Sequence, residues 1–599
     1  MPKDSRTRRL LHNQLNHFRH SLAYFDALPQ LTLLGLLVGL FTGGIIVVFR
    51  FLIDAPLSLL ITGHSDNFES LSIQDRCLFI FSGVLVLSVL LKLAGPKYSE
   101  TSVGHVLDRL HNHQGKLPLG NWLVQFVGAI VAMISGQSVG REGPAVHLGA
   151  GAASQLGQWL KLPNNSMHTL VGCGVAAAIS ASFDTPMAGV IFAMEVIVME
   201  YTIVGFVPVI MASVMGTMLS QATLGESGGL HVGTSDMNSL LELPYMVAVG
   251  LVISICAAIY IRLNIFALGF NKYPIYVRLL VAGLLTSGVA ALVPQIMGLG
   301  YDTVNAALAG QMLIASLLIV CVAKLVVTPL VIGLGIPGGV IGPLLVIGAC
   351  VGGAMGIGLH AAIPGVETNP GFYVVLGMAG MMAATLNAPL AALVAVLELS
   401  YNPNMIFPAM LVIVVACVST RQFFKLNSIF IQQLKHSGRD LDFGPAAQAL
   451  RRAGIRSIMD TRFRSCPAQL ADTDIERLLL AKPMWLIFES ENRKIALPAA
   501  DLAKAFNTRR EQLAETDDNE ESAESLIDLL EIPGRRLNLY PIHDTANLLE
   551  ALEALRNTSA DALFVSKTYS PMSGDVQGIV QMSAIENYYQ PKEFNRAAR

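Results

Sequence analysis

The chain has 599 residues, 53% hydrophobic and only 14% charged, with a mean hydropathy of +0.54. That is too apolar for a soluble protein of this size and makes the chain a polytopic membrane protein. The formal net charge of -3 excludes little, because the charges are segregated along the chain.

Lys3, Arg6, Arg8, Arg9 and Arg19 precede the first hydrophobic stretch, Leu31 to Phe51. The positive-inside rule assigns that leading segment, residues 1–30, to the cytoplasm. The stretch lies too far in, and runs too long, for a cleaved signal peptide. Apolar runs then recur to about Val418, many of them long enough to span a bilayer. Seven scattered cysteines form no CxxC pair and read as small core residues, not disulfides or metal ligands.

Two glycine-proline signatures interrupt the apolar region. The first is Gly140-Arg141-Glu142-Gly143-Pro144; the second runs Gly335-Ile336-Pro337-Gly338-Gly339-Val340-Ile341-Gly342-Pro343. Each opens an apolar helix-like run at membrane depth, where non-helical backbone is tolerated only if buried or lining a polar path. Broken helix N-termini near the midplane are a standard way to hold an anion. The pattern therefore points to permeation of a small anion, with Glu142 at its site.

The region also repeats. Gly174, Pro186 and Glu195 match Gly377, Pro389 and Glu398 at one constant offset of 203 residues, and Pro144 precedes Pro343 by 199. The two repeats are expected over about 31–225 and 240–434, with inverted topology that brings both broken helices to one depth. The expected fold is an all-α polytopic membrane domain, 31–434, built from these repeats. After a linker at 435–450, residues 451–599 turn charged and mix short β-rich runs, such as Trp485 to Phe488 and Ala562 to Val565, with amphipathic helices. This reads as an α/β domain with no spanning segment, with the acidic stretch 511–524 as a solvated loop.

GREGP, GxPGGxxxP and the Thr185 to Val196 run together resemble the CLC family of chloride channels and chloride/proton exchangers, over roughly Leu31 to Leu434. The tail resembles a pair of CBS modules, with Ser457-Ile458-Met459-Asp460 and Gly578-Ile579-Val580 as landmarks. The resemblance implies a homodimer in the bilayer in which each subunit holds its own ion path. It also implies cytoplasmic termini, and the expected location is the plasma (inner) membrane. Nucleotide-binding CBS modules usually keep an Asp soon after the GIV strand. Here the chain reaches Ala584, with Glu586 the only nearby acid. Regulation without nucleotide, or dimer contact, is the reading for the tail, and no cofactor is expected.

The chemistry follows. Stripping water from chloride is costly unless polar groups replace it, and backbone amides carrying about half a charge per helix end bind without trapping. By resemblance, the amides of Val340 and Ile341 are central ligands, and those of Gly140, Arg141 and Gly143 around Glu142 serve the outer position. The Glu142 carboxylate is itself an anion at a helix N-terminus. Its protonation should release it, so one group can gate the path and link it to pH. Arg141 and Lys324 read equally as an electropositive vestibule or as cations paired with carboxylates or carbonyls. Glu195 and Glu398 read as hydrogen-bonded to buried backbone, and His105 and His147 as structural histidines.

Three positions depart from the exchanger pattern. The GSGIP loop is replaced by Glu100 to Gly104, so Thr101 or Ser102 supplies the central hydroxyl, with ungapped counting favouring Thr101. The central tyrosine position falls at Phe430, and the internal proton glutamate at Val196. These changes favour a passive, glutamate-gated chloride channel. The alternative is a chloride/proton exchanger, in which protons join chloride as transported species. A fluoride exporter ranks third, because Pro144 keeps the GREGP form. An intramembrane protease is disfavoured: Tyr301-Asp302 lacks a GxGD partner, and HExxH and GxSG are absent. The chain is read as a transporter, not an enzyme.

Overall fold

The computed structural model describes residues 28–61, 67–225, 237, 239, 242–362, 369–439, 445–490, 493–515, 526–567 and 575–589. The basic segment 1–27 and residues 516–524 of the acidic stretch lie outside them. The chain divides into two compact units, one of 28–160 with 167–441, the other including 161–166 and 442–599.

The first unit is helical throughout. Its first half contains α1 (Leu28–Leu60), α2 (Ile73–Ala94), α3 (Val103–Asn112), α4 (Leu119–Ile134), α5 (Glu142–Trp159), α6 (Asn164–Phe183), α7 (Pro186–Phe192) and α8 (Ile203–Leu224). The second half contains α9 (Leu243–Leu268), α10 (Ile275–Leu292), α11 (Tyr301–Leu308), α12 (Ile314–Gly333), α13 (Ile341–Ala362), α14 (Pro370–Leu386), α15 (Pro389–Ser400) and α16 (Ile406–Gln422), followed by α17 (Ile429–His436). Among the described residues, nine helices are long and apolar enough to cross a membrane. The chain is an integral, multi-pass membrane protein. Helices α4, α7, α14 and α15 are shorter, as expected where elements meet inside the bilayer instead of crossing it.

The repeat is built into the packing. In each half the first helix lies on the last, α1 on α8 and α9 on α16. The helix opened by each signature packs on the next at a glycine pair. A Cβ on Gly149 would stand 2.2 Å from the Gly174 carbonyl oxygen, and one on Gly348 would stand 2.4 Å from that of Gly377. Only glycine allows that approach, the membrane equivalent of small-residue helix packing.

The two halves are then tied reciprocally. Glu195 accepts from the amides of Leu390 and Ala391 at 3.2 and 2.7 Å. Glu398 accepts from those of Met187 and Ala188 at 2.8 and 2.7 Å. Each repeat thus caps the N-terminus of the other's proline-started helix, using donors that have no partner inside a helix. The reading of both glutamates as backbone acceptors holds.

The second unit is α/β. Its elements are α18 (Pro445–Arg451), β1 (Phe463–Ser465), β2 (Gln469–Leu470), α19 (Asp472–Leu480), β3 (Trp485–Ser490), β4 (Arg493–Pro498), α20 (Ala499–Glu515), β5 (Ile527–Asp528), β6 (Leu537–His543), α21 (Leu548–Asn557), β7 (Ala562–Ser566), β8 (Gly578–Gln581) and α22 (Met582–Tyr589). The main sheet runs β1-β3-β4-β6-β7-β8. It is two copies of one pattern, a parallel pair joined through a helix and then an antiparallel third strand. The two landmark segments of the tail pair directly: the Asp460 amide donates to Ile579 O and the Ile579 amide returns to Asp460 O, at 2.8 and 2.9 Å.

Two boundaries differ from the sequence reading. Residues 511–515 are helical, because α20 continues its amphipathic pattern past the first acid. The linker 435–450 is shorter than expected, since α17 ends at His436 and α18 begins at Pro445.

Candidate functional site

The two signatures meet. Gly140 and Gly339 form an isolated antiparallel bridge, with N–H to O distances of 2.8 and 2.7 Å in the two directions. A Cβ on Gly339 would lie 2.4 Å from the Gly143 nitrogen, and one on Gly143 would lie 2.6 Å from the Gly339 Cα. Backbone occupies the space a side chain would need, which is why glycine recurs in both signatures. The contact sets the starts of α5 and α13 against each other. Ser138 Oγ and Thr328 Oγ1, 2.8 Å apart, tie the first signature to α12 as well.

Glu142 is the first residue of α5 and fully buried. Its carboxylate does not sit on its own helix alone. Oε2 accepts from the Gly342 amide in the first turn of α13 at 3.0 Å, and Oε1 accepts from the Tyr301 hydroxyl at 3.0 Å. An anion is therefore already bound at the N-terminus of the second repeat's broken helix, where orphan amides and the helix dipole favour negative charge.

Neither Gly342 nor Tyr301 was singled out as a ligand from sequence. Gly342 lay inside the second signature, one residue past Val340 and Ile341. Both of those are buried where α13 begins. In the sequence, Tyr301 belongs only to the protease-like Tyr301-Asp302 dipeptide. Its loop is held by the buried Lys324, which donates to the carbonyls of Gly298 and Leu299 at 3.3 and 3.4 Å. Of the two readings of Lys324, pairing with carbonyls is the one observed.

Of the two readings of Arg141, pairing with a carbonyl is the one observed. Arg141 donates to the Ser182 carbonyl at 2.9 Å and lies over the Phe183 and Tyr301 rings at 5.7 and 5.6 Å. It also lines a small cavity with Arg50, Asp54, Gly298 and Leu299.

A second, larger cavity of about 320 Å³ is lined by Thr101, Ser102, His105, Gln125, Gly338 and Gln433, among others. Both hydroxyl candidates therefore face one space. Ser102 has φ 140° and ψ 174°, a region populated almost only by glycine, and such strain gathers at functional sites. At one side of this cavity Arg439 donates to both Glu100 oxygens at 2.9 and 2.7 Å and to Asp108 at 3.1 Å. That guanidinium holds the Glu100 carboxyl below its ordinary value.

Phe430 is buried in the first turn of α17, whose Gln433 and Leu434 line the same cavity. Val196 is buried in a π-helical turn, Ala193–Val198, that extends α7. Among the described residues no cluster of three metal-binding side chains occurs.

Residues 83–421 match the family model for voltage gated chloride channels, more than half of the chain. The chain belongs to the CLC family. A relative from Ralstonia nicotianae, "Putative chloride channel protein ClcB-like", is 30% identical over 312 residues, covering 51% of this chain and 72% of that one. The "H(+)/Cl(-) exchange transporter ClcA" of Salmonella agona is 27% identical over 354 residues, covering 56% and 75%. Among solved structures, a slow cyanobacterial Cl-/H+ antiporter superposes with TM-score 0.61 at 22% identity, over 68% of this chain and 97% of that one. A CLC-type fluoride/proton antiporter gives TM-score 0.56 at 23% identity, over 68% and 99%. A eukaryotic CLC transporter gives 0.56 at 18% identity and covers 95% of this chain, tail included, and 98% of that one. These CLC proteins are transporters or channels, and chloride transport is the family's activity.

Proposed function

We propose that this chain exchanges chloride for protons, with Glu142 as the group that both ions must displace. The observation that carries the reading is the buried Glu142 carboxylate 3.0 Å from the Gly342 amide. Chloride entering that position must evict a like-charged group. A proton arriving at Glu142 cancels its charge and loosens its hold on the amide. Alternation between the two would couple opposite flows. ClcA relatives named as exchangers support this reading over a passive channel.

In this scheme the amides of Gly140, Arg141 and Gly143 serve the outer position and those of Val340 and Ile341 the central one, with Thr101 or Ser102 contributing a hydroxyl. Phe430 offers no hydroxyl, so the inner end of the path holds chloride less firmly. Arg141 attracts anions toward the gate. The subunit works in a homodimer, both termini lie in the cytoplasm of the plasma (inner) membrane, and the tail is a CBS-like regulatory pair without a nucleotide.

A second reading, passive conduction, is favoured by one observation. Val196, at the position of the internal proton glutamate, is buried and apolar and cannot relay a proton. One experiment separates the two. Reconstituted protein is given a chloride gradient, and lumenal pH is followed against an opposing proton gradient. Exchange predicts uphill proton movement. Chloride flux with no proton movement would establish the channel.

A further inference from the structure

Exchange requires a proton route to Glu142 from each side, and Val196 leaves one side without its usual acid. A different pair of titratable groups links the larger cavity to α5. His105 on α3 lines the 320 Å³ cavity. Its Nδ1 stands 2.9 Å from Nε2 of His147 on α5, and the rings stack with centroids 5.2 Å apart. His147 is fully buried, and its Nδ1 has no hydrogen-bond partner among the described residues.

The tautomers follow from Arg109, which can only donate. Its Nε donates to His105 Nε2 at 3.3 Å. His105 Nε2 is therefore an acceptor and carries no proton. Neutral His105 is protonated at Nδ1 and donates to His147 Nε2. Neutral His147 then holds its proton at Nδ1, on the side with no protein partner. A buried N–H left unmatched costs about 1–3 kcal/mol. An apolar pair would fill the same space without that cost, so packing alone does not account for the two imidazoles.

We propose that His105 and His147 form a proton relay between the cavity and the interior around α5, replacing the missing internal acid. A proton from cavity water binds His105 Nε2, displacing the weak donation from Arg109. The proton on His105 Nδ1 passes to His147 Nε2, and the proton on His147 Nδ1 is handed to a water, which delivers it to the Glu142 carboxylate. One proton enters and one leaves, and ring rotation restores the starting tautomers. His147 and Glu142 share one helix, five residues apart, about 7.5 Å along its axis and about 140° around it, so water and not direct contact spans the last leg.

The charged groups around His105 are Arg109, Glu100, Asp108 and Arg439, two of each sign, while His147 is influenced by His105 alone. Burial is the largest influence and disfavours a charged His105; the arginines add to that threshold, and Glu100 and Asp108 ease proton entry against it. The relay rests on the exchanger reading, since a passive channel has no use for it.

The test uses the full chain in liposomes under a chloride gradient, with chloride flux and proton uptake measured together. The parent should move protons uphill. His147→Gln keeps an amide at the Nε2 position facing His105, and His105→Asn keeps one at the Nδ1 position facing His147. Neither amide can take a proton on one side and release one on the other. Each variant should pass chloride while its proton-to-chloride ratio falls by about a hundredfold or more, the range for loss of a positioned proton carrier.

A parent that moves no protons would overturn the exchanger reading, and the relay with it. A parent that pumps, beside variants that pump at the same ratio, would overturn the relay alone. If neither variant passes chloride, Arg109→Gln supplies the decision. Removing the donor that faces His105 Nε2 should extend proton uptake to higher pH on the cavity side, and an unchanged pH profile would overturn the relay.

Discussion

The two repeats share a scaffold and differ at their active ends. Each packs its signature helix on the next through one glycine pair, and each caps the other's proline-started helix with one glutamate. At the signatures the symmetry stops. The first repeat places a carboxylate, Glu142, at its helix start. The second offers bare backbone, and its Gly342 amide takes that carboxylate. A symmetric pair of amide-lined ends would bind an anion and do nothing more. In the proposed scheme, putting the acid on one side only turns a binding site into one that a proton can open.

The largest expected effect comes from separating the two ends. Gly339→Ala would put a methyl 2.4 Å from the Gly143 nitrogen, against backbone that cannot yield cheaply. Flux per correctly assembled protein should fall by roughly five- to a hundredfold, or assembly should fail, since overpacking of this kind costs roughly 1–3 kcal/mol or more. Parent-like transport would break the claim that the signatures touch.

Tyr301→Phe is next. It leaves the packing but removes one of the donors to the Glu142 carboxylate, the other being the Gly342 amide. A hydrogen bond to a charged group is worth about 1.5–3 kcal/mol. The gate should be held less firmly, and chloride flux at neutral pH should rise roughly tenfold at the lower end of that range. Unchanged flux would leave Gly342 as the only holding group that matters.

The scaffold comparison is sharpened by Glu195→Gln and Glu398→Gln, made separately. Each removes a charged acceptor from two helix-start amides. Each should lower thermal stability in detergent by a similar amount, on the order of 2 kcal/mol. Unequal losses would show that one repeat bears more of the tie than the other.

The smallest effect concerns Glu100, outside the spanning helices. Its carboxyl lies below the ordinary value of 4.5, first because of its hydrogen bonds with Arg439. The sign follows from linkage. A carboxyl lowered in the folded state contributes stability that is full above its unfolded value and lost as pH falls through the folded one. Glu100→Gln should therefore narrow the stability difference between neutral pH and pH below 4.5. Because Glu100 is half-exposed, the change should be small, and it should shrink further in high salt.

Much of this was legible in the sequence. GREGP and the second signature marked the helix starts, and the 203-residue offset singled out Glu195 and Glu398 before their reciprocal bonds were seen. The partner of Glu142 was not legible. Composition and spacing locate Val340, Ile341 and Gly342 to one turn, but which amide meets a carboxylate about 200 residues away depends on how two helices approach in space. Tyr301 carried no motif for this role, since its use comes from a loop anchored by Lys324. The same limit applies to His105 and His147, 42 residues apart, which look solitary until α3 is packed on α5. The helical 511–515 was missed because charge was read ahead of periodicity.

The central claim is that Glu142 occupies a position chloride would otherwise take. Anomalous diffraction from bromide-soaked crystals of the parent and of Glu142→Ala tests it most directly. The account predicts a bromide within about 3.5 Å of the Gly342 nitrogen in the variant, and none at that amide in the parent while the carboxylate is bound there. A variant whose Gly342 amide stays bare while bromide fills other sites would contradict it.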